Sequence, residues 1–273
     1  MKANAAQRQA ICGALLVTGL MLGNSPVLAA EDPTACASAL DQPREAGRAL
    51  QPSFGVLSWN IQKASNDGWS DDLGDLAAAA DLVFIQEASL QASIPSVVDH
   101  VPTQAFAPGY RTDTLDSGVM TLSTSAHSVH CRLTAIEPWL GTPKATSVTE
   151  HPIDGSDQRL LAINLHAVNF ALGLTDFSSQ FEAIGQVLDQ HDGPVILAGD
   201  LNTWSESRQS LVDEFVARHG LQPVGFEPDL RTTAFGRALD HIYVRGLRTE
   251  SAKVVPVSSS DHNPLKVRLA LDS

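Results

Sequence analysis

Basic residues are scarce. Lys and Arg number 18 against 31 Asp and Glu, a formal net charge of -13 in 273 residues. A surface of that sign repels polyanions at long range, which argues against tight non-specific binding to duplex nucleic acid. It does not exclude a nuclease, because a local basic groove and a bound cation offset the global field. Cysteine is rarer still, with three in the chain. No Cys pair and no His-x3-His spacing occurs, which argues against a zinc site. Beyond the first thirty residues no segment is apolar enough to cross a bilayer as a helix. Fixed-period repeats, low-complexity tracts and internal linkers are also lacking. What is present is an ordinary globular balance, 43% hydrophobic and 18% charged, in a chain long enough for one large domain with a buried core.

Residues 1–30 have the pattern of a signal peptide. Lys2 and Arg8 form a positive start, Ile11 to Leu22 an apolar stretch, and Val27-Leu28-Ala29-Ala30 a small-residue cleavage site. The alternative, an uncleaved anchor, needs a longer apolar stretch, and Cys12 lies in no lipoprotein-type cleavage box. The expectation is a periplasmic or secreted protein whose mature chain begins at Ala30 or Glu31. Residues 31–53 read as an N-terminal arm with one short helix, and 54–273 as the domain. Export leaves Cys36 and Cys131 in an oxidising compartment. They either pair or stay as two thiols, and both readings stand.

From Phe54 onward, short apolar runs recur between Gly, Pro, Asp and Ser. The predicted strands are 55–60, 82–86, 118–123, 128–134, 145–151, 159–165, 195–198, 241–244, 253–257 and 265–271. The predicted helices are 71–80, 176–190 and 206–219. In the second helix Phe177, Phe181, Ile184, Val187 and Leu188 form one stripe, read as core. Many strands with few helices predict an α/β four-layer sandwich, two packed mixed β-sheets flanked by helices.

Polar residues fall at the strand ends. Asn60, Glu87 and His166 each close an apolar run, and Asp200 and Asn202 follow one. Asp240, Asp261 and His262 precede the last apolar runs. If the first group of strands runs one way and the second runs antiparallel, all eight converge on one edge. A lone residue of this kind is an ordinary strand-end polar group. Eight of compatible chemistry argue for a site. Carboxylate and amide oxygens suit Mg²⁺, Mn²⁺ or Ca²⁺. Asp240 is available to orient the ring of His262, an acid/base arrangement.

Five motifs, Ser58-Trp59-Asn60, Ile85-Gln86-Glu87, Gly199-Asp200-Leu201-Asn202, Leu239-Asp240-His241-Ile242 and Ser260-Asp261-His262-Asn263-Pro264-Leu265, occur in that order. They resemble the signatures of the endonuclease/exonuclease/phosphatase superfamily, over about residues 54 to 271. The stretches 117–123, 166–170 and 234–237 resemble a bacterial branch of it. The resemblance implies a DNase I-like fold and a Mg²⁺- (or Mn²⁺-) dependent phosphodiesterase. It implies Glu87 as principal metal ligand, supported by Asn60 and Asp261. Asp200 would polarise or deprotonate the attacking water, and Asn202 would orient that water or the phosphate. His166 and His262 would bind phosphate oxygens, with Asp240 orienting His262. Gln62 stands where abasic endonucleases carry an acid, which weakens that reading.

Lys144, Arg237 and Asn169 are the further candidates for substrate contact, ahead of Arg111 and Arg231. For any one of the four cations a solvated surface charge is the commoner reading. Trp69, Tyr110 and Trp204 are candidates for stacking on a base or head group, or for local packing. His127, His130, His151 and His241 show no ligand spacing. The expected partner is a phosphodiester substrate, nucleic acid first and a phospholipid or sphingomyelin head group second, acted on by a monomer with no stable protein partner. A phosphatase is the enzymatic rival. A catalytically silent binding protein on the same fold is the rival of another class, opposed by the complete set of motif residues.

Overall fold

A computed structural model describes residues 28–41, 47–137, 141–169 and 173–272. In chain order the strands are β1 (Leu28–Ala30), β2 (Ser53–Asn60), β3 (Leu82–Ser89), β4 (Thr103–Arg111), β5 (Asp116–Ser123), β6 (Val129–Ile136), β7 (Pro143–Pro152), β8 (Arg159–His166), β9 (Val195–Asp200), β10 (Gln222–Pro223), β11 (Thr233–Ala234), β12 (Arg237–Ala238), β13 (Asp240–Arg245), β14 (Leu247–Val254) and β15 (Leu265–Leu271). The helices are α1 (Pro33–Ala39), α2 (Trp69–Ala77), α3 (Thr175–Leu188) and α4 (Glu206–Arg218).

Two mixed sheets carry the fold. One runs β1-β6-β7-β8-β9-β13-β10, the other β14-β15-β2-β3-β5-β4. Alternation along each strand explains why the central runs are apolar without a break. In β9, Ile196 and Ala198 face the other sheet, while Val195 and Leu197 face α3 and α4. In β3, Leu82 and Phe84 face inward, and Val83 and Ile85 pack with Leu73, Leu76 and Ala77 of α2. Sheet packs on sheet in the middle and helices cover both outer faces, which is the expected four-layer sandwich. The α3 stripe is buried as read, with Phe177 and Phe181 in the core.

Three differences stand out, and the first two have plain causes. β4 was not anticipated: Pro108 and Gly109 interrupt its pattern, and its register with β5 shifts between Pro108 and Arg111. β14 starts at Leu247 rather than Lys253, because Arg248 to Ser251 lie exposed and carry no apolar signal. Helix α2 is displaced toward the N-terminus, Trp69–Ala77 rather than 71–80.

The N-terminal arm packs onto the domain. Asp32 caps α1 through the amide of Ala35, and Cys36, Ala39 and Leu40 enter the core beneath α3. Cys36 and Cys131 are disulfide-bonded, 95 residues apart. The apolar stretch 11–22 of the expected signal peptide lies outside the described residues. Leu28–Ala30 pairs in parallel with Val129–Cys131, so the expected cleavage before Ala30 or Glu31 would shorten or remove that edge strand.

Candidate active site

The strand directions put the two groups of polar residues on one edge. β8 and β9 run parallel and place His166 opposite Asp200, while antiparallel β13 places Asp240 on the other side of Asp200. In the second sheet, parallel β2 and β3 align Asn60 with Gln86, one residue before Glu87. β15 runs antiparallel to β2, which brings the preceding Asp261 and His262 to the same end. A cleft of about 670 Å³ opens there, lined by Asn60, Glu87, His166, Asp200, Asn202, Asp261 and His262 among others.

Backbone strain marks two of these positions. Glu87 (φ 50°) and Asn202 (φ 50°) both occupy the left-handed region, which non-glycine residues seldom enter. Glu87 also sits where the β3–β5 register breaks between Ile85 and Ala88, a bulge that re-aims its side chain. Gly199 has φ 142°, and a Cβ there would come within 1.9 Å of the Leu165 carbonyl oxygen. The glycine lets β9 approach β8 just before Asp200.

Asp200 is buried and held on both oxygens. Oδ1 accepts from the Asn202 amide at 3.0 Å and Oδ2 from Asn60 Nδ2 at 3.0 Å, a bond between the two sheets. Burial and then the neighbouring Asp240 push its carboxyl up to about 6, against the pull of His262 and the two donors. Nδ1 of His262 donates to Asp240 Oδ2 at 2.7 Å, leaving Nε2 3.9 Å from Asp200. Burial works against a charge on His262. The Asp240 carboxylate bonded to it, with Asp200 and Asp261 nearby, overrides burial and raises the imidazole to about 10. His166 is the opposite case. Burial, then Lys144, hold it well below 6.5. Lys144 Nζ donates to His166 Nε2 at 2.9 Å, so the ring proton of the neutral imidazole is on Nδ1.

Glu87 and Asp261 border the cleft and are partly open to solvent, and Glu87 is ion-paired with Lys63. Oxygen donors on an open cleft fit a divalent cation that keeps part of its water. Such an ion would have to share Glu87 with the Lys63 ammonium or displace it. Asp200, Asp240 and His262 also stand close enough together to hold an ion. There, however, His262 Nδ1 and Asp240 Oδ2 are spent on each other.

The further candidates divide. Lys144, Asn169 and Tyr110 line the cleft. Arg237 lies outside its lining, 3.9 Å from Glu206, and is a surface charge. Arg111 pairs with Asp116, and Arg231 with Asp229 at 2.7 Å. Trp69 is the first residue of α2 and packs, partly buried, against the core under that helix. Trp204 donates to Asn169 Oδ1 at 3.0 Å and lies against the Arg208 guanidinium, so its ring is engaged. His241 supports the site from below, with Nε2 2.7 Å from Thr203 Oγ1.

Three residues escaped sequence reasoning. Lys63 faces Glu87 from a short turn with left-handed backbone. Glu137 is buried on the cleft wall, accepts the Asn169 amide at 2.8 Å and lies 3.8 Å from Lys144. Arg208 is buried and donates to the carbonyls of Val168 (2.6 Å), Asn202 (3.1 Å) and Asn169 (2.8 Å). Burial lowers it to about 10, opposed by Glu137 and Asp200, so it remains cationic at neutral pH. One guanidinium thereby ties the loops after β8 and β9 together. No spacing signal announces any of the three.

The model of the Endonuclease/Exonuclease/phosphatase family matches residues 57–262. A UPF0294 protein from Erwinia tasmaniensis is 41% identical over 217 residues, covering 78% of this chain and 79% of that protein. Among solved structures, an endonuclease/exonuclease/phosphatase from Beutenbergia cavernae superposes with a TM-score of 0.61 at 15% identity, over 83% of this chain and 72% of that one. Sphingomyelinase C from Streptomyces griseocarneus gives 0.54 at 20% identity, over 80% and 99%. The matched span begins within β2 and ends at His262, enclosing the whole cleft edge, and the chain belongs to the endonuclease/exonuclease/phosphatase family.

Proposed function

We propose that this chain is an exported, Mg²⁺- or Mn²⁺-dependent phosphodiesterase. The observation that carries the reading is the row Asp240–His262–Asp200, in which one carboxylate charges the histidine while the other, raised to about 6, stays near its own titration point. Glu87 and Asp261, with Asn60, would hold the metal, which supplies Lewis-acid stabilisation of the phosphate and leaving oxygen. Asp200, oriented by Asn60 and Asn202, takes a proton from the attacking water. The His262 imidazolium and the Lys144 ammonium stabilise charge gathering on the non-bridging oxygens. His166 accepts from Lys144 and fixes where that ammonium points. The phosphorus gains the water oxygen and releases the ester oxygen as an alkoxide, which takes a proton from solvent water, while the proton of the attacking water passes to Asp200 and from there to solvent.

Nucleic acid is the first substrate class, as one strand engaged near the scissile bond rather than a long duplex. Lys63 and Lys144 are the cations on the cleft wall, and Tyr110 offers an exposed ring beside them. A lipid head group is the second reading, favoured by Phe235, 88% exposed in the turn joining β11 and β12. Export is supported by the Cys36–Cys131 bond, which suits an oxidising compartment. Purified protein with Mg²⁺ or Mn²⁺ is tested on single-stranded and plasmid DNA, RNA, sphingomyelin, phosphoinositides and a generic phosphodiester. Hydrolysis of none of them, with the fold intact, refutes the enzyme reading and favours the silent binder. Mass spectrometry of native protein tests export, and an intact Met1 in a cytoplasmic fraction refutes it.

A further inference from the structure

A second cluster of ligating groups lies away from the cleft, where the N-terminal arm meets the domain. Asp41 follows α1, Glu150 is on β7 and His191 follows α3. One donor atom from each lies within 4.8 Å of the others. His191 is 1% exposed and Glu150 is fully buried, whereas the Asp41 side chain is 49% exposed.

The proton positions at His191 define the problem. Nε2 lies 3.2 Å from the Pro194 carbonyl oxygen. A carbonyl only accepts, so Nε2 carries the hydrogen and Nδ1 of the neutral ring presents a lone pair. That Nδ1 is buried with no hydrogen-bond partner, and Asp41 Oδ2 is 3.4 Å away. A lone pair and two carboxylates face one another. Arg159 Nε, 2.8 Å from Glu150 Oε2, offsets one negative charge and leaves the other. Glu150 Oε1 receives the Asp41 amide at 2.7 Å and keeps a second lone pair. A buried imidazole nitrogen without a partner is unfavourable, and a cation between the three groups satisfies all of them.

We infer that Asp41, Glu150 and His191 form a structural site for a borderline divalent cation, Zn²⁺ foremost. One imidazole nitrogen with two carboxylate oxygens is a donor set for Zn²⁺, whereas Mg²⁺ and Ca²⁺ take oxygens. The ligands come from three separated segments, which is why no local spacing announces them. The ion clips the arm to the domain, adding to the disulfide and to the bond between the Asp41 amide and Glu150. It is separate from catalysis, because none of its ligands lines the cleft.

The test is the Zn²⁺ stoichiometry of EDTA-stripped full-length protein, by equilibrium dialysis, with melting temperature measured alongside. Wild type, His191→Gln, Asp41→Asn and Glu87→Gln are compared, each with MgCl₂ as a control. The expected result is one Zn²⁺ equivalent that survives in Glu87→Gln. It weakens at least tenfold in His191→Gln and in Asp41→Asn, together with loss of the Zn²⁺-induced rise in melting temperature, and Mg²⁺ does not replace it. Asp41→Asn alters a half-exposed side chain and keeps the amide bond to Glu150, so it decides the matter should His191→Gln fail to fold. Unchanged Zn²⁺ binding in Asp41→Asn overturns the site. So does an absence of any Zn²⁺ equivalent in Glu87→Gln.

Discussion

His262 and His151 are both withdrawn from water, yet they are held in opposite states. Asp240 and two further carboxylates lift His262 to about 10 against its burial. Among the described residues no carboxylate offsets the burial of His151, and burial, then His127 and Arg159, push it down to about 3. Beside it His130 falls to about 4 from burial, then His127 and Arg132. The rings of His127 lie 5.8 Å from His130 and 6.1 Å from His151. Burial alone therefore does not decide the charge of a histidine here. The sign of the charges facing the ring decides with it: carboxylates outweigh burial at His262, whereas neighbouring cations add to burial at His166 and His151.

The largest effect sharpens the cleft side of this contrast. EDTA is expected to abolish hydrolysis and added Mg²⁺ or Mn²⁺ to restore it, with the circular dichroism spectrum unchanged. Full turnover in chelator would end the metal-dependent reading. Next, Asp240→Asn strips His262 of its bonded carboxylate and moves it toward the neutral state of His151. Turnover should fall by up to the loss from His262→Ala, about 10²–10⁴-fold, and the double variant should be no worse than His262→Ala alone. Losses that multiply would show the two residues to act separately. NMR titration of His262 in metal-free protein reads the charge directly. It should stay protonated past pH 7 in wild type and lose its proton at lower pH in Asp240→Asn.

Smaller effects concern the neutral side. The disulfide ties the arm to β6 and leaves the cleft untouched, so Cys36→Ser with Cys131→Ser should lower stability by about 2–4 kcal/mol. Below its melting point that variant should keep its turnover number, and a large fall in turnover would break the separation of the two regions. The last effect is graded. Below pH 6.5 the unfolded chain protonates His130 and His151, which the folded chain resists until about 4 and 3. The unfolded state then binds more protons, so stability must fall as pH drops through that window. Substituting Gln at either position should flatten the slope of urea midpoint against pH between 6.5 and 4, and an unaltered slope would assign acid sensitivity elsewhere.

The layers and the cleft edge were legible because both rest on local patterns. Unbroken runs such as Val195 to Ala198 require cover on both faces, and the polar residues that close such runs sit where strands end. Whether β13 and β15 run antiparallel to β9 and β2 had to be supposed, and the supposition fixes the convergence. β4 stayed hidden because Pro108 and Gly109 break its alternation. Arg208 and Glu137 stayed hidden because each works through backbone atoms of loops distant in sequence. The disulfide was left open because pairing depends on the distance between α1 and β6, which no spacing encodes.

Gln86 and Asn164 lie between the two sheets, just behind the cleft. Gln86 Nε2 donates to Asn164 Oδ1 at 2.7 Å, and Asn164 Nδ2 donates to the Met120 carbonyl oxygen at 3.0 Å. Of the proposed metal-side residues, Asn60 and Glu87 belong to one sheet and Asp261 to the loop that enters it, whereas His166, Asp200 and Asp240 belong to the other sheet. The chemistry is thus split across a joint, and this amide pair is its gauge block. Apolar packing deeper in the joint tolerates a small slide of one sheet over the other, whereas proton transfer between fixed atoms does not. On heating, catalytic competence should disappear several degrees before secondary structure does, and Gln86→Ala should widen that gap more than it lowers the melting temperature itself.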